Sequence, residues 1–230
     1  MLRMARDNGA GQESDVSNEL DLAALLSSRL CHDLVGPVGA IGNGLEVMQD
    51  DDDPAMRDQA IELLGLSVGQ ALGRLKFYRM AFGASSGAGA DISLPDARQV
   101  ARDFLDGSRV TLDWPDASVS VDGGIGKAAV KLLMNMVLLG SEALPRGGGL
   151  AVAIRRNGAG SHLAVTASGE GARLPDKAVV ALRPDVSLGE VEPKAAPVYL
   201  AVQLARALGS ELRAAQSDDR VALEAEPRQV

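Results

Sequence analysis

From Ser17 onward the apolar positions fall into a stripe. Leu22, Leu26, Leu30, Leu34, Pro37, Ile41, Leu45 and Met48 recur every three or four residues, the spacing of one face of an α-helix. The pattern predicts a helix of about 30 residues, kinked or tightened near Pro37, whose ring removes a backbone donor. Asp50 to Asp53 make an acidic turn. Asp53 suits an N-cap, and Pro54 sits at the first helical position, where a missing N–H costs nothing. A second stripe (Ala60, Leu64, Val68, Ala71, Leu75, Tyr78) carries another long helix to about Phe82. The short connection makes the pair antiparallel. Residues 1–17, with Gly9, Gly11, Gln12 and Glu13 among them, have no period and are expected to be a disordered lead-in. A lone hairpin at 18–82 with a broad apolar stripe needs a partner, and a homodimeric four-helix bundle supplies one economically.

Gly83 to Gly89, with alanine and serine between, opens a linker over 83–91. Beyond it the pattern changes. Pro95 to Leu105 reads as a helix, Val110 to Trp114 and Val119 to Val121 as short strands, and Lys127 to Leu144 as a strongly apolar helix. Leu150 to Arg155 and His162 to Ala167 alternate like paired strands. After a turn-rich region, Val198 to Leu208 is helical and Arg220 to Ala225 makes a last strand. The class is α followed by α/β, with helices covering one face of a mixed sheet over 92–230.

Composition narrows the function. The 46% hydrophobic content can bury a sizeable core, and the net charge of −8 argues against nucleic acid or an anionic membrane surface as partner. Aromatic residues make up only 3% of the chain, too few for base-stacking platforms. One cysteine and no signal-like or membrane-spanning apolar run suggest a reducing, cytoplasmic setting. No metal-ligand spacing, nucleophile elbow or phosphate loop is present.

The chemistry concentrates at His32. At 100° per residue it lies about 200° from Leu30 and from Leu34, away from the apolar stripe. Its own face carries Gly36, Gly39 and Asn43. Each glycine costs a helix about 1 kcal/mol relative to alanine, so close approach by another protein explains that face better than stability does. Asp33 is placed to accept a hydrogen bond from one ring nitrogen and leave the other free as a nucleophile. An ordinary surface histidine would fit the same isolated observation. Cys31 reads as a small packing residue, Trp114 as domain packing, and His162 as a structural or surface residue.

The string His32-Asp33-Leu34-Val35-Gly36-Pro37-Val38 resembles the phosphorylation box of sensor histidine kinases, in which an acidic residue follows the histidine and a proline stands five positions on. A helical hairpin followed by an α/β region extends the likeness to nearly the whole chain and implies a bundle followed by a kinase-like ATP-binding sandwich. The nucleotide contacts, however, are missing. Asn135 matches the first asparagine of the family's asparagine box, but Leu139 stands where the magnesium-binding asparagine belongs, and leucine offers magnesium no oxygen. In Val165-Thr166-Ala167-Ser168-Gly169-Glu170-Gly171, Ala167 replaces the aspartate that contacts adenine. Pro197-Val198-Tyr199 occupies the glycine-rich phosphate loop, where backbone amides must come close.

This combination resembles the ChpT-type histidine phosphotransferases of alphaproteobacteria, dimers with a kinase-like bundle and a nucleotide-free second domain. The resemblance implies a relay through His32 as phospho-acceptor, oriented by Asp33. The donor would be the receiver domain of a CckA-like hybrid histidine kinase, and the acceptors CtrA-like and CpdR-like response regulators with a role in cell-cycle control. No cofactor is expected on this chain; Mg²⁺ would sit on the receiver's carboxylates. Arg29, Gly36, Gly39, Asn43, Arg74, Lys76 and Arg79 are candidate docking residues, with Phe77, Tyr78 and Met80 beside the three later cations. A solvated helix end accounts for those cations equally well. Gly36 occupies the place of a Thr or Asn that supports phosphatase action in the kinases, which makes that activity doubtful. Two other readings stay open: an ATP-dependent histidine kinase with an atypical nucleotide site, and a non-catalytic dimeric adaptor.

Overall fold

The computed structural model describes residues 8–50, 53–83, 93–115, 125–157 and 160–227. Two long helices, α1 (Asn8–Asp50) and α2 (Pro54–Phe82), form the antiparallel hairpin. Asp53 caps α2 by accepting from the Ala55 amide at 3.0 Å, with Pro54 at the first turn. One expectation for α1 changes. The helix begins at Asn8, so residues 8–17 are helical and not a disordered lead-in. No proline interrupts them, and adding turns to an established helix avoids the nucleation cost. Pro37 lies inside one continuous helix.

The remainder builds α3 (Leu94–Leu105), β1 (Val110–Asp113), α4 (Lys127–Glu142), β2 (Gly148–Asn157), β3 (Gly160–Ser168), α5 (Asp176–Ala181), α6 (Ala196–Ala207), β4 (Ser210–Ser217) and β5 (Arg220–Pro227), with 3-10 turns at Leu188–Glu190 and Pro193–Ala195. The sheet order is β1-β2-β3-β5-β4. β1 and β2 run parallel and the other neighbours antiparallel. Apolar α4 is the central element: Val130, Leu132 to Gly140 are all buried, against the sheet on one side and α6 on the other. Gly140 permits this packing, since a Cβ there would meet Leu150 Cδ1 at 2.6 Å. The strand read at Val119–Val121 and residues 84–91 of the linker lie outside the described residues.

The hairpin and the α/β unit share one core. The buried cluster includes Phe77, Tyr78 and Ala81 of α2 together with α3, α4, the sheet and α6, and Leu22, Leu25, Leu26 and Leu30 of α1 pack against it. Gly73 lets α2 and α3 approach until a Cβ would stand 2.8 Å from the Asp103 carbonyl oxygen. Phe77 stacks on Phe104 with ring centroids 4.1 Å apart, and Tyr78 on Phe82 at 5.0 Å. These aromatics therefore belong to the core and not to a docking edge, because the α2 surface that carries them is covered by α3 and α4.

Candidate functional site

His32 stands on the middle of α1 with 64% of its side chain exposed. One residue on, the helix turns Asp33 toward α2, and its carboxylate is mostly covered. The two meet through His32 Nδ1 and Asp33 Oδ1 at 3.0 Å. The other carboxylate oxygen, Oδ2, accepts from Arg29 Nε at 2.7 Å and from the Tyr78 hydroxyl. Burial alone would raise the Asp33 carboxyl, but the hydrogen bonds from Tyr78 and His32 and the charge of Arg29 outweigh it and hold it below the usual aspartate range. An ionised carboxylate can only accept hydrogen bonds. The proton in the His32–Asp33 contact therefore belongs to Nδ1, and of the two ring nitrogens it is Nε2 that this contact leaves free.

Below the ring the helix is bare. A Cβ at Gly36 or Gly39 would meet nothing within 4 Å, and Asn43 is exposed. Lys76 and Arg79 are exposed on α2.

Two of the expected docking residues are committed inside the chain. Arg29 is only 7% exposed. Besides Asp33 it donates to the Lys194 carbonyl at 2.9 Å and to Glu142 Oε1. It cannot present its guanidinium to a partner, because a buried cation needs its counter-charges close by. Those partners lie 165 and 113 positions along the chain, so no local pattern could announce them. Arg74 donates to the backbone carbonyl of Asp33. The reason is Pro37: the carbonyl four residues before a helical proline has lost its usual donor, and Arg74 replaces it. The proline that follows the histidine by five residues thus fixes a second tie between α2 and the helical turn that carries the site.

The family model described as the histidine phosphotransferase C-terminal domain matches residues 94–220. The protein phosphotransferase ChpT of Brucella abortus (strain 2308) is 40% identical over 158 residues, 69% of this chain and 72% of that protein. The chain belongs to the histidine phosphotransferase family. A solved bacterial phosphotransferase superposes with a TM-score of 0.76 at 32% identity, over 90% of this chain and 96% of the other. The histidine kinase ThkA, solved in complex with the response regulator protein TrrA, gives a TM-score of 0.51 at 13% identity over 98% of this chain and 67% of that one, a likeness of fold alone.

This phosphotransferase keeps the kinase-like fold, and the residues that stand at the kinases' nucleotide positions by resemblance are packed into its interior. Leu139 is 1% exposed and Ala167 is fully buried, its strand neighbours being Leu150 and Val221. Pro197 and Val198 are buried in the first turn of α6. All four side chains are thus apolar and enclosed. Asn135 has become a tie, donating from Nδ2 to the carbonyls of Ala81 at 3.1 Å and Lys131 at 2.8 Å. The retained glycines are explained by backbone geometry. At Gly169 a Cβ would stand 2.4 Å from the Gly147 carbonyl oxygen, while Gly171 has φ +71° and donates its amide to Asp219 Oδ1 at 2.7 Å. Among the described residues no group of three or more His, Cys, Asp or Glu could hold a metal ion, and no helix is long and apolar enough to cross a membrane.

Proposed function

We propose that His32 is the phosphoryl carrier of this histidine phosphotransferase, and that it works between aspartates of two kinds of receiver domain. The observation that carries the reading is the single contact between His32 Nδ1 and Asp33, with the ring otherwise exposed over a glycine-lined face. The Nε2 lone pair attacks phosphorus of a receiver's aspartyl phosphate in line. The Nε2–P bond forms, the P–O bond to the aspartyl carboxyl breaks, and its electron pair leaves on the receiver carboxylate. The Nδ1 proton stays on the ring, where Asp33 balances the charge that develops. The reverse displacement passes the group to a second receiver, so most of the catalysis is positioning. Mg²⁺ sits on the receiver, whose carboxylates supply the oxygen ligands it prefers.

A receiver approaches over Gly36, Gly39 and Asn43, with Lys76 and Arg79 at the edge of its footprint. A CckA-like hybrid kinase is the donor and CtrA-like or CpdR-like regulators are the acceptors, in the cytoplasm. The protein acts as a homodimer: Leu45, Ile61, Leu66, Val68, Leu72 and Leu75 are 42 to 60% exposed on the hairpin, a large apolar surface for a single chain to leave in water, and a second hairpin would cover it as a four-helix bundle.

Incubation with a ³²P-labelled receiver in Mg²⁺ tests the reading. Label should reach the wild-type protein and not His32→Ala, and the labelled product should be acid-labile and alkali-stable. Transfer through His32→Ala, or full signalling by His32→Gln, would refute it.

A further inference from the structure

Arg29 joins the histidine to the second domain, and every nitrogen of its guanidinium is used. Nε holds Asp33 Oδ2 at 2.7 Å, one terminal nitrogen holds the Lys194 carbonyl at 2.9 Å, and the other holds Glu142 Oε1. Glu142 is the last residue of α4, and Lys194 sits in the 3-10 turn that leads into α6. The two partners on the far side of the fork thus come from the second domain. On the near side, Arg29 and Tyr78 together fix Oδ2 of Asp33, which leaves Oδ1 aimed at His32.

We infer that Glu142, acting through Arg29 and Asp33, is a positioning residue for His32, and that one present role of the second domain is to set the orientation and tautomer of the reacting imidazole. The inference rests on His32 being the phosphoryl carrier.

The physical argument is one of constraint. A planar guanidinium with all three sides engaged has one orientation, and that orientation passes to any carboxylate it holds. With Glu142 removed, Arg29 keeps two partners and regains rotamer freedom. Asp33 then keeps only Tyr78 as a firm anchor on Oδ2, and its carboxylate can turn. The Nδ1–H···Oδ1 bond that selects the attacking tautomer weakens with it. Outer hydrogen-bond partners of this type, which never touch the reacting atoms, alter activity by about 10- to 100-fold in metal-bound histidines. Glu142 does not lie on the glycine face where a receiver would approach, so its loss should leave receiver affinity alone.

The test uses the full chain and two readouts. The ¹⁵N spectrum of the His32 ring reports the tautomer without any phosphoryl transfer. Single-turnover transfer from a ³²P-labelled receiver over a range of receiver concentrations separates rate from affinity. Glu142→Ala should lower the saturating transfer rate on the order of tenfold, leave the half-saturating receiver concentration unchanged, and move the ring toward the Nε2–H form. Glu142→Gln, which keeps an oxygen for Arg29, should retain most of the rate. If Glu142→Ala does not fold, Arg29→Lys provides the same readouts, since an ammonium cannot hold the planar three-way geometry. A folded Glu142→Ala with unchanged rate and ring spectrum overturns the inference. So does a rate loss accompanied by raised half-saturation or by an unaltered ring, which would make Glu142 a docking or purely structural residue. His32→Ala run in parallel separates the two claims: if it still accepts label, the reading of His32 has failed, and if it does not while Glu142→Ala is silent, only the inference has.

Discussion

Pro37 and Arg74 act as a pair across the hairpin. The proline leaves the Asp33 carbonyl without its helical donor, and Arg74 of α2 supplies one. The cation expected at a docking edge is therefore part of what holds the histidine's turn against α2. The pair yields a thermodynamic test. Arg74→Ala should cost about 1–3 kcal/mol, the penalty for a polar group left unsatisfied, whereas in a Pro37→Ala background the helix supplies its own N–H and the same substitution should cost markedly less. Urea unfolding of the four proteins of this cycle measures the coupling, expected to be about 1 kcal/mol. Strict additivity would show that Arg74 does not answer the proline.

The hairpin was legible in the sequence because its period is long and its caps are marked, and the exposure of His32 followed from helix geometry alone. What escaped was non-local. Arg29 looked like a surface cation until its partners 113 and 165 residues away closed around it. Leu45, Val68 and Leu75 of the two apolar stripes are exposed at 48%, 42% and 44%, because periodicity marks an apolar face without saying how much of it the same chain covers. The edge strand β4 was not foreseen. Its sequence, Ser-Glu-Leu-Arg-Ala-Ala-Gln-Ser, is rich in helix formers, and only its pairing with β5 makes it a strand.

The depressed Asp33 carboxyl makes stability depend on acid. A carboxyl whose folded value lies below its unfolded one contributes stability that is fully present above the ordinary aspartate value of about 3.9 and is lost as the pH falls through the lower folded value. Burial pushes Glu142 up despite the nearby Arg29, so its contribution has the opposite sign and fades as pH rises through its raised value. Asp33→Asn should therefore be less stable than the wild type at pH 7, with the gap narrowing below pH 4. Denaturant unfolding at several pH values checks this. A gap that stays constant into acid would mean that Asp33 does not titrate with folding.

The bare face under His32 should separate stability from function. Gly39→Ala places a Cβ in open space and should stabilise the helix by about 0.5–1 kcal/mol. Gly36→Trp should fold equally well yet raise the receiver concentration needed for half-maximal transfer at least tenfold, because a bulky ring would occupy the approach to Nε2. A variant at Gly36 that folds and transfers with unaltered affinity would move the receiver's footprint elsewhere.

Restoring the adenine-contacting residue should not restore the nucleotide. Ala167 is fully buried between β2 and β5, and a carboxylate there would face apolar neighbours without a partner. Burying a lone charge costs several kcal/mol unless it is neutralised, so Ala167→Asp should lower stability by about 3 kcal/mol or more. Leu139→Asn should also destabilise, since residue 139 is enclosed by core side chains. The double variant should show no ATP binding by calorimetry, because Val198 and Pro197 still close the place of the phosphate loop. Micromolar ATP affinity in that double variant would mean that the sandwich has kept a nucleotide cavity able to reopen, and that its packed interior is one of two states rather than a fixed core.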